Sequence, residues 1–200
     1  MPNETYDQIL AVARKEFLEK GYAGASMRSI AEQVGISAAA LYWHFKNKEA
    51  LYAALVEPVL ARIRSYAGEK QTHDEACLAS ADWDTIWGDQ TYRFLLDFIY
   101  DHFEDMELLV FASTGSTYER MLDNLVEEMA EETLRYLAQA RAAGHPVADP
   151  DPLELRLFLT AQYDTMLEVV RRHFTREQAE HYFDSHRTFF VAGWRSYLAM

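Results

Sequence analysis

The chain has 200 residues, enough for one domain or two modest ones. Half of them are hydrophobic, a quarter are charged, and only 13 are Gly or Pro, which excludes collagen-like and low-complexity readings. The longest run without Asp, Glu, Lys or Arg is 33–45, 13 residues against the roughly 20 apolar residues of a membrane span. No apolar leader follows Met1, and the single cysteine, Cys77, can make neither an internal disulfide nor a cysteine metal cluster, so a cytoplasmic protein is expected. A net charge of −13 argues against a nucleic-acid binder until the chain is divided. Residues 1–50 carry six basic and six acidic side chains, and residues 51–200 carry 13 and 26. A neutral head on an anionic body fits two jobs in one chain.

The pattern is helical throughout, with no repeat and no run of period-2 alternation, so the expected fold class is all-α. Ile9, Ala13 and Phe17 recur at four-residue steps on a first helix over 4–20, which Gly21 stops. Ser26 caps a second helix over 27–34, Gly35-Ile36-Ser37 makes a tight break, and Ser37 caps a third over 38–45. Asn47 caps a fourth over 48–67. Residues 68–82 read as a loop with one short helix at 74–78. Residues 83–103 are apolar nearly all round, as in a central buried helix, and continue in a short apolar stretch over 106–112. Ser116-x-x-Glu119 fits a capping box opening a helix to 142. Pro152 suits the first turn of a helix over 152–174, and Thr175-x-x-Gln178 caps a last one running from 176 to the end. Two domains are expected, 1–50 and 51–200.

Residues 27–45 have the spacing of a helix-turn-helix. Ile30, Val34, Leu41 and Phe45 face one core, Ala31 lies at the crossing, and Gly35 sits where the turn requires a positive φ. Arg28 lies at the start of the first helix of the pair. Ala39, Ala40, Tyr42, Trp43 and His44 are exposed on the second, and Lys46 and Lys48 follow. That set suits a helix in the major groove flanked by phosphate contacts. Ordinary alternatives exist for several of them. Arg28 has Glu32 as its i+4 partner, Trp43 either packs on the sugar-phosphate wall or closes the small core, and His44 contacts phosphate or caps its helix.

The stretches Phe17-Leu-Glu-Lys-Gly-Tyr22, Ser26-Met-Arg-Ser-Ile-Ala31, Val34-Gly-Ile-Ser37 and Leu41-Tyr-Trp-His-Phe-Lys-Asn-Lys-Glu-Ala-Leu51 resemble the N-terminal domain of TetR-like transcriptional repressors. The resemblance spans about residues 5–55. It implies an N-terminal three-helix DNA-binding domain followed by a helical ligand-binding and dimerisation domain. The expected function is that of a repressor bound to a palindromic double-stranded DNA operator as a homodimer, released by a small-molecule effector. Positions 38–40 depart from the family's habit of polar side chains there: Ala38, Ala39 and Ala40 offer only methyl groups. Reading would then rest on Ser37, Tyr42, Trp43, Arg28 and DNA shape, with modest direct readout.

In the body, Tyr182, His186, Phe190, Gly193 and Trp194 on the last helix, with Leu157, Ala161 and Thr165 on the one before, are read as the dimer interface. Trp83, Trp87, Phe94, Phe98, Phe111, Tyr118, Met121 and Tyr163 are read as lining an effector cavity, with His102, Gln162 and Cys77 among its polar groups. Such a lining suggests an apolar or aromatic effector. The alternative is a constitutive DNA binder without a sensor. No catalytic or cofactor site is expected. His102 with Glu104 and Asp105, and His181 with Glu177 and Asp184, are spacings that helices produce by chance rather than metal sets. Ser113-Thr114-Gly115-Ser116 has no strand leading into it and is not a nucleophile elbow.

Overall fold

The computed structural model describes the backbone of residues 4–78 and 89–199, and side chains of 4–69 and 91–199. Among the described residues every regular element is a helix. They are α1 (Glu4–Gly24), α2 (Met27–Val34), α3 (Ala38–His44), α4 (Lys48–Leu78), α5 (Asp89–Asp101), α6 (Phe103–Phe111), α7 (Met121–Ala142), α8 (Pro152–Met166), α9 (Glu168–Arg171) and α10 (Arg176–Leu198). The chain divides into two compact units, Met1–Arg64 with His102–Met121, and Ser65–Asp101 with Leu122–Met200. The first unit thus holds more than the first 50 residues: it includes the start of α4 and all of α6.

In the first unit the expected helix-turn-helix forms. Ile9, Phe17, Ile30 and Leu41 are fully buried, and Val34 and Phe45 nearly so. Burying side chains of this size stabilises the fold by about 1.5–3 kcal/mol each. Ser26 accepts from the Ser29 N–H, and Ser37 from the Ala40 N–H at 3.1 Å, as the capping pattern requires. Gly35 takes φ +80°, and its N–H satisfies the last carbonyls of α2. Gly21 breaks the helical conformation within α1 at φ +67°. Asn47 caps α4 through the Ala50 N–H at 2.8 Å. The buried face of α4 carries Leu51, Tyr52, Leu55, Val56, Val59 and Leu60. From α6 come Met106, Leu108 and Leu109, and the Tyr52 hydroxyl donates to the Leu108 carbonyl at 2.7 Å.

The second unit packs Val126, Ala130, Leu137 and Ala140 of α7 against Leu155 and Leu159 of α8 and Trp194 and Leu198 of α10. Asp151 caps α8 by accepting the Leu153 and Glu154 N–H groups, with Pro152 in its first turn. The Thr175–Gln178 capping box opens α10 with both reciprocal bonds.

Four expectations change. Helix α4 does not stop near residue 67; it continues through the expected short helix at 74–78 to Leu78. Helix α5 is not buried all round: Tyr92, Leu96 and Ile99 form the inner face, while Phe94 is exposed and Phe98 half-buried. The outer aromatics are instead covered by one another, with Phe94 stacked 3.7 Å from Tyr66 and 5.9 Å from Phe98. Ser116 and Glu119 do not open α7, which begins at Met121. They close a turn, Ser116 accepting from the Tyr118 N–H and Glu119 from the Gly115 N–H. The helix expected over 152–174 divides at Leu167. There the Thr165 hydroxyl returns to the Ala161 and Gln162 carbonyls, back-bonding that bends helices. His173, at φ +49°, ends the following turn.

Candidate nucleic-acid interface

The outer surface of α3 is the most open aromatic surface of the first unit. Trp43 is 84% exposed and Tyr42 52%. Ser37, Ala38, Ala39 and Lys46 are exposed beside them, and Ala40 and His44 are half-buried. Of the two readings of Trp43, closure of the small core is excluded: Phe45, stacked on Tyr6 at 5.2 Å, does that instead. The Trp43 ring touches His44 edge-on at 5.1 Å. Arg28 is exposed and paired with exposed Glu32 at 3.0 Å, a contact that water and a phosphate can replace at little cost.

Lys48 is used differently from the expected phosphate contact. Its ammonium donates to the carbonyls of Tyr22 at 2.6 Å, Ala25 at 3.0 Å and Ala23 at 3.3 Å, and lies 4.5 Å from the centre of the Tyr22 ring. The Tyr22 and Ala23 carbonyls are orphans at the end of α1 and Ala25 follows it, and a cation there also suits the helix dipole. All three ammonium protons have partners within the chain.

Three residues that sequence reasoning missed complete this frame. The Glu49 carboxylate accepts from the Tyr22 hydroxyl and from the N–H and hydroxyl of Thr117. Burial alone would raise its pKa, but the bonds from Thr117 and Tyr22 prevail and hold it below the ordinary carboxylate value. Burial and Glu49 together push the Tyr22 phenol up to about 12. Glu16 is buried under the helix-turn-helix, accepting from Lys20 at 2.8 Å, Gln33 at 2.9 Å and the Ser26 N–H at 3.4 Å. Burial again works to raise its pKa, and these bonds outweigh it, so the carboxyl is held low. Arg14 of α1 pairs with Asp105 and Glu104 of α6. Nothing in periodicity signals these contacts, because most partners lie 10 to 91 residues apart.

The residues expected to line a cavity divide between the units. His102, Phe111, Tyr118 and Met121 belong to the first, and Phe94, Phe98, Gln162 and Tyr163 to the second. Trp83, Trp87 and the Cys77 side chain lie outside the described residues. His102 accepts from Arg62 at Nε2, 3.0 Å away, and Tyr118 donates to Glu57 at 2.8 Å. Phe111 is exposed, and Tyr163 packs on the α7–α10 core. Gln162 is the centre of a buried polar knot. Its amide donates to the Tyr92 hydroxyl at 3.0 Å and accepts from the Trp194 indole at 2.7 Å. Its carbonyl accepts from His186 Nε2 at 3.0 Å. Since a carbonyl only accepts, Nε2 carries the ring proton, and burial pushes the His186 pKa down.

The residues expected at a dimer interface also separate. Leu157, Ala161 and Gly193 are exposed, alongside Leu153, Phe158 and Phe189. Thr165, Tyr182 and Phe190 are half-buried. His186 and Trp194 are 5% and 3% exposed, built into the core of their own subunit, where the knot needs them. Among the described residues no three His, Cys, Asp or Glu side chains form a group that could hold a metal, and no helix is long and apolar enough to cross a membrane.

Residues 9–55 match the family described as bacterial regulatory proteins, tetR family. The HTH-type transcriptional regulator TtgR of Pseudomonas putida is 34% identical over 83 residues, 42% of this chain and 35% of TtgR. IcaR, the HTH-type negative transcriptional regulator of the biofilm operon icaADBC in Staphylococcus aureus (strain Newman), is 26% identical over 62% of this chain and 61% of its own. The alignments thus span about a third of the one relative and under two thirds of the other. In fold, the chain is similar to the TetR family transcriptional regulator PfmR from Thermus thermophilus, with a TM-score of 0.55 at 23% identity over 92% of this chain and 94% of that one. Residues 9–55 thus form a DNA-binding domain of the TetR-like family, and the all-helical fold that continues from them is similar to that of PfmR.

Proposed function

We propose that the protein is a DNA-binding transcriptional regulator. It is a cytoplasmic repressor that holds a palindromic operator as a homodimer and releases it when a small apolar or aromatic effector binds the helical C-terminal domain. The observation that carries this reading is the exposed surface of α3, where a tryptophan and a tyrosine stand in solvent beside Lys46 on a capped helix. A globular domain gains nothing in stability from an indole left 84% exposed, and a groove wall would cover it. In this reading α3 enters the major groove once per subunit, Tyr42, Trp43 and Lys46 meet the backbone, and Arg28 exchanges Glu32 for a phosphate. The apolar surfaces of α8 and α10 that carry Leu153, Leu157, Phe158 and Phe189 pair with those of a second copy. Release requires unequal effector affinity for the DNA-competent and DNA-incompetent states, typically a coupling of about 1–3 kcal/mol.

The test is selection from random duplexes followed by binding measurements. The expected product is an inverted repeat with half-sites about one helical turn apart, bound at least tenfold more weakly by Trp43→Ala with its melting temperature unchanged. Failure to enrich any sequence would remove the reading. A second reading keeps the DNA-binding head without a sensor. It is favoured by the Gln162 knot, which leaves the amide of an expected cavity-lining residue satisfied within the fold. Native mass spectrometry separates the two: a dimer carrying a small mass lost on denaturation supports the sensor, and a clean dimer unmoved by a broad ligand panel supports the constitutive binder.

A further inference from the structure

We infer that this protein reads its operator mainly through thymine 5-methyl groups, met by the methyl surface of Ala38 and Ala39. The inference rests on the DNA-binding reading above and narrows it to a class of sequence. The major groove distinguishes bases by few chemistries: bidentate Arg or Lys for guanine, bidentate Asn or Gln for adenine, Asp or Glu for cytosine, and apolar contact for the thymine methyl. From Ser37 to Phe45 the chain contains none of those six polar residue types. Ala38 and Ala39 are nevertheless exposed, on the first turn of α3, the part of a recognition helix that approaches base edges. The Ser37 oxygen is engaged in capping Ala40, which leaves its hydroxyl proton as a single donor.

Long donors nearby do not fill the gap. The Gln33 amide donates to Glu16 and to Ser29. Lys48 is held by three backbone carbonyls. Lys46 lies beyond the end of α3, where the reading above gives it a backbone contact. Arg28 projects from α2, outside the recognition helix, and exchanges Glu32 for a phosphate in the reading above. With Tyr42 and Trp43 on the backbone, the methyl surface, the single Ser37 donor and half-buried His44 remain to touch bases, and of the four bases thymine alone offers an apolar group in the major groove.

The test replaces single atoms in the selected operator. Thymine-to-uracil substitution removes one methyl and leaves pairing intact. At the half-site positions facing α3, affinity should fall about three- to fivefold per methyl removed. The 7-deaza-guanine substitution, which removes the N7 acceptor, should have less effect than any of these. The paired variant Ala38→Ser/Ala39→Ser, which puts hydroxyls on the methyl surface and keeps helix-compatible side chains, should bring the thymine-to-uracil affinity ratio towards one. Because it is a ratio measured on bound protein, general destabilisation does not change it. A uracil operator bound as tightly as the thymine operator, with loss on 7-deaza-guanine substitution, overturns the inference and leaves the DNA-binding reading standing. No enriched sequence at all overturns that reading, and this one with it.

Discussion

The polar groups inside the first unit are largely charged and join segments far apart in the chain. Among the described residues, the buried polar side chains of the second, Gln162 and His186, are neutral and meet at Gln162. In the first, Glu16 joins α1 to α2, Lys48 and Glu49 join the start of α4 to Tyr22 and Thr117, and Arg14 joins α1 to α6. In the second, Gln162 gathers Tyr92 and Trp194 around its side-chain amide and His186 at its backbone carbonyl. Charged ties, buried or partly buried, respond to acid and, where exposed, to salt. A neutral buried knot responds to the loss of any member, because the abandoned partner cannot turn to water.

The largest expected effect is in the second unit. Trp194→Ala removes a buried ring and leaves the Gln162 oxygen without its donor, and should cost about 3–5 kcal/mol in chemical denaturation. A loss below about 1 kcal/mol would show that the knot relaxes freely and would erase the contrast. In the first unit, Lys48→Met abandons three carbonyls and should cost about 1–3 kcal/mol. The same variant sharpens the assignment of Lys48. A frame residue lowers the melting temperature and leaves the salt dependence of DNA binding unchanged, whereas a phosphate contact flattens that dependence by about one unit.

Acid should separate the two units in sequence. His186 is neutral in the fold with its pKa below the ordinary 6.5, so the unfolded chain takes up the proton first. Its contribution to the stability of the second unit is complete above pH 6.5 and falls as the pH drops from there through the lowered value. Glu16 and Glu49 are held below 4.5, so their contribution is intact above that pH and is lost only as acid passes their lowered values. Hydrogen exchange followed by segment against pH checks this: protection in α10 should weaken before protection in α1. The reverse order would mean that other carboxylates govern the first unit. The smallest expected effect is that of Lys46→Ala. Lys46 is exposed and has no ion pair among the described residues, so stability should hold while the salt slope of operator binding falls by about one unit.

The helix-turn-helix was legible because its information is local. Ser26, Gly35, Ser37 and Asn47 each act within four residues, and Ile30, Val34, Leu41 and Phe45 follow the helical period. The same holds for Asp151 with Pro152 and for the Thr175–Gln178 box. Errors of boundary arose where a competing local hydrogen bond replaced the expected one, as at Ser116, which closes a turn, and at Thr165, whose hydroxyl bends α8. In the candidate site, the exposure of Ala39, Tyr42 and Trp43 followed from their positions on α3, whereas Ala40 and His44, expected to be exposed, are half-buried. The role of Lys48 did not, since periodicity says nothing about carbonyls 23 to 26 residues away.

By itself, the sequence determined the helical class, the helix-turn-helix at 27–45 and the absence of Arg, Lys, Asn, Gln, Asp and Glu between 37 and 45, because pattern and composition act over a few residues. The tertiary structure alone decided that α6 belongs with the head, that His186 and Trp194 serve their own core, and that Lys48 holds backbone carbonyls. Each of those depends on groups distant in the chain, brought within bonding distance by the burial of apolar faces.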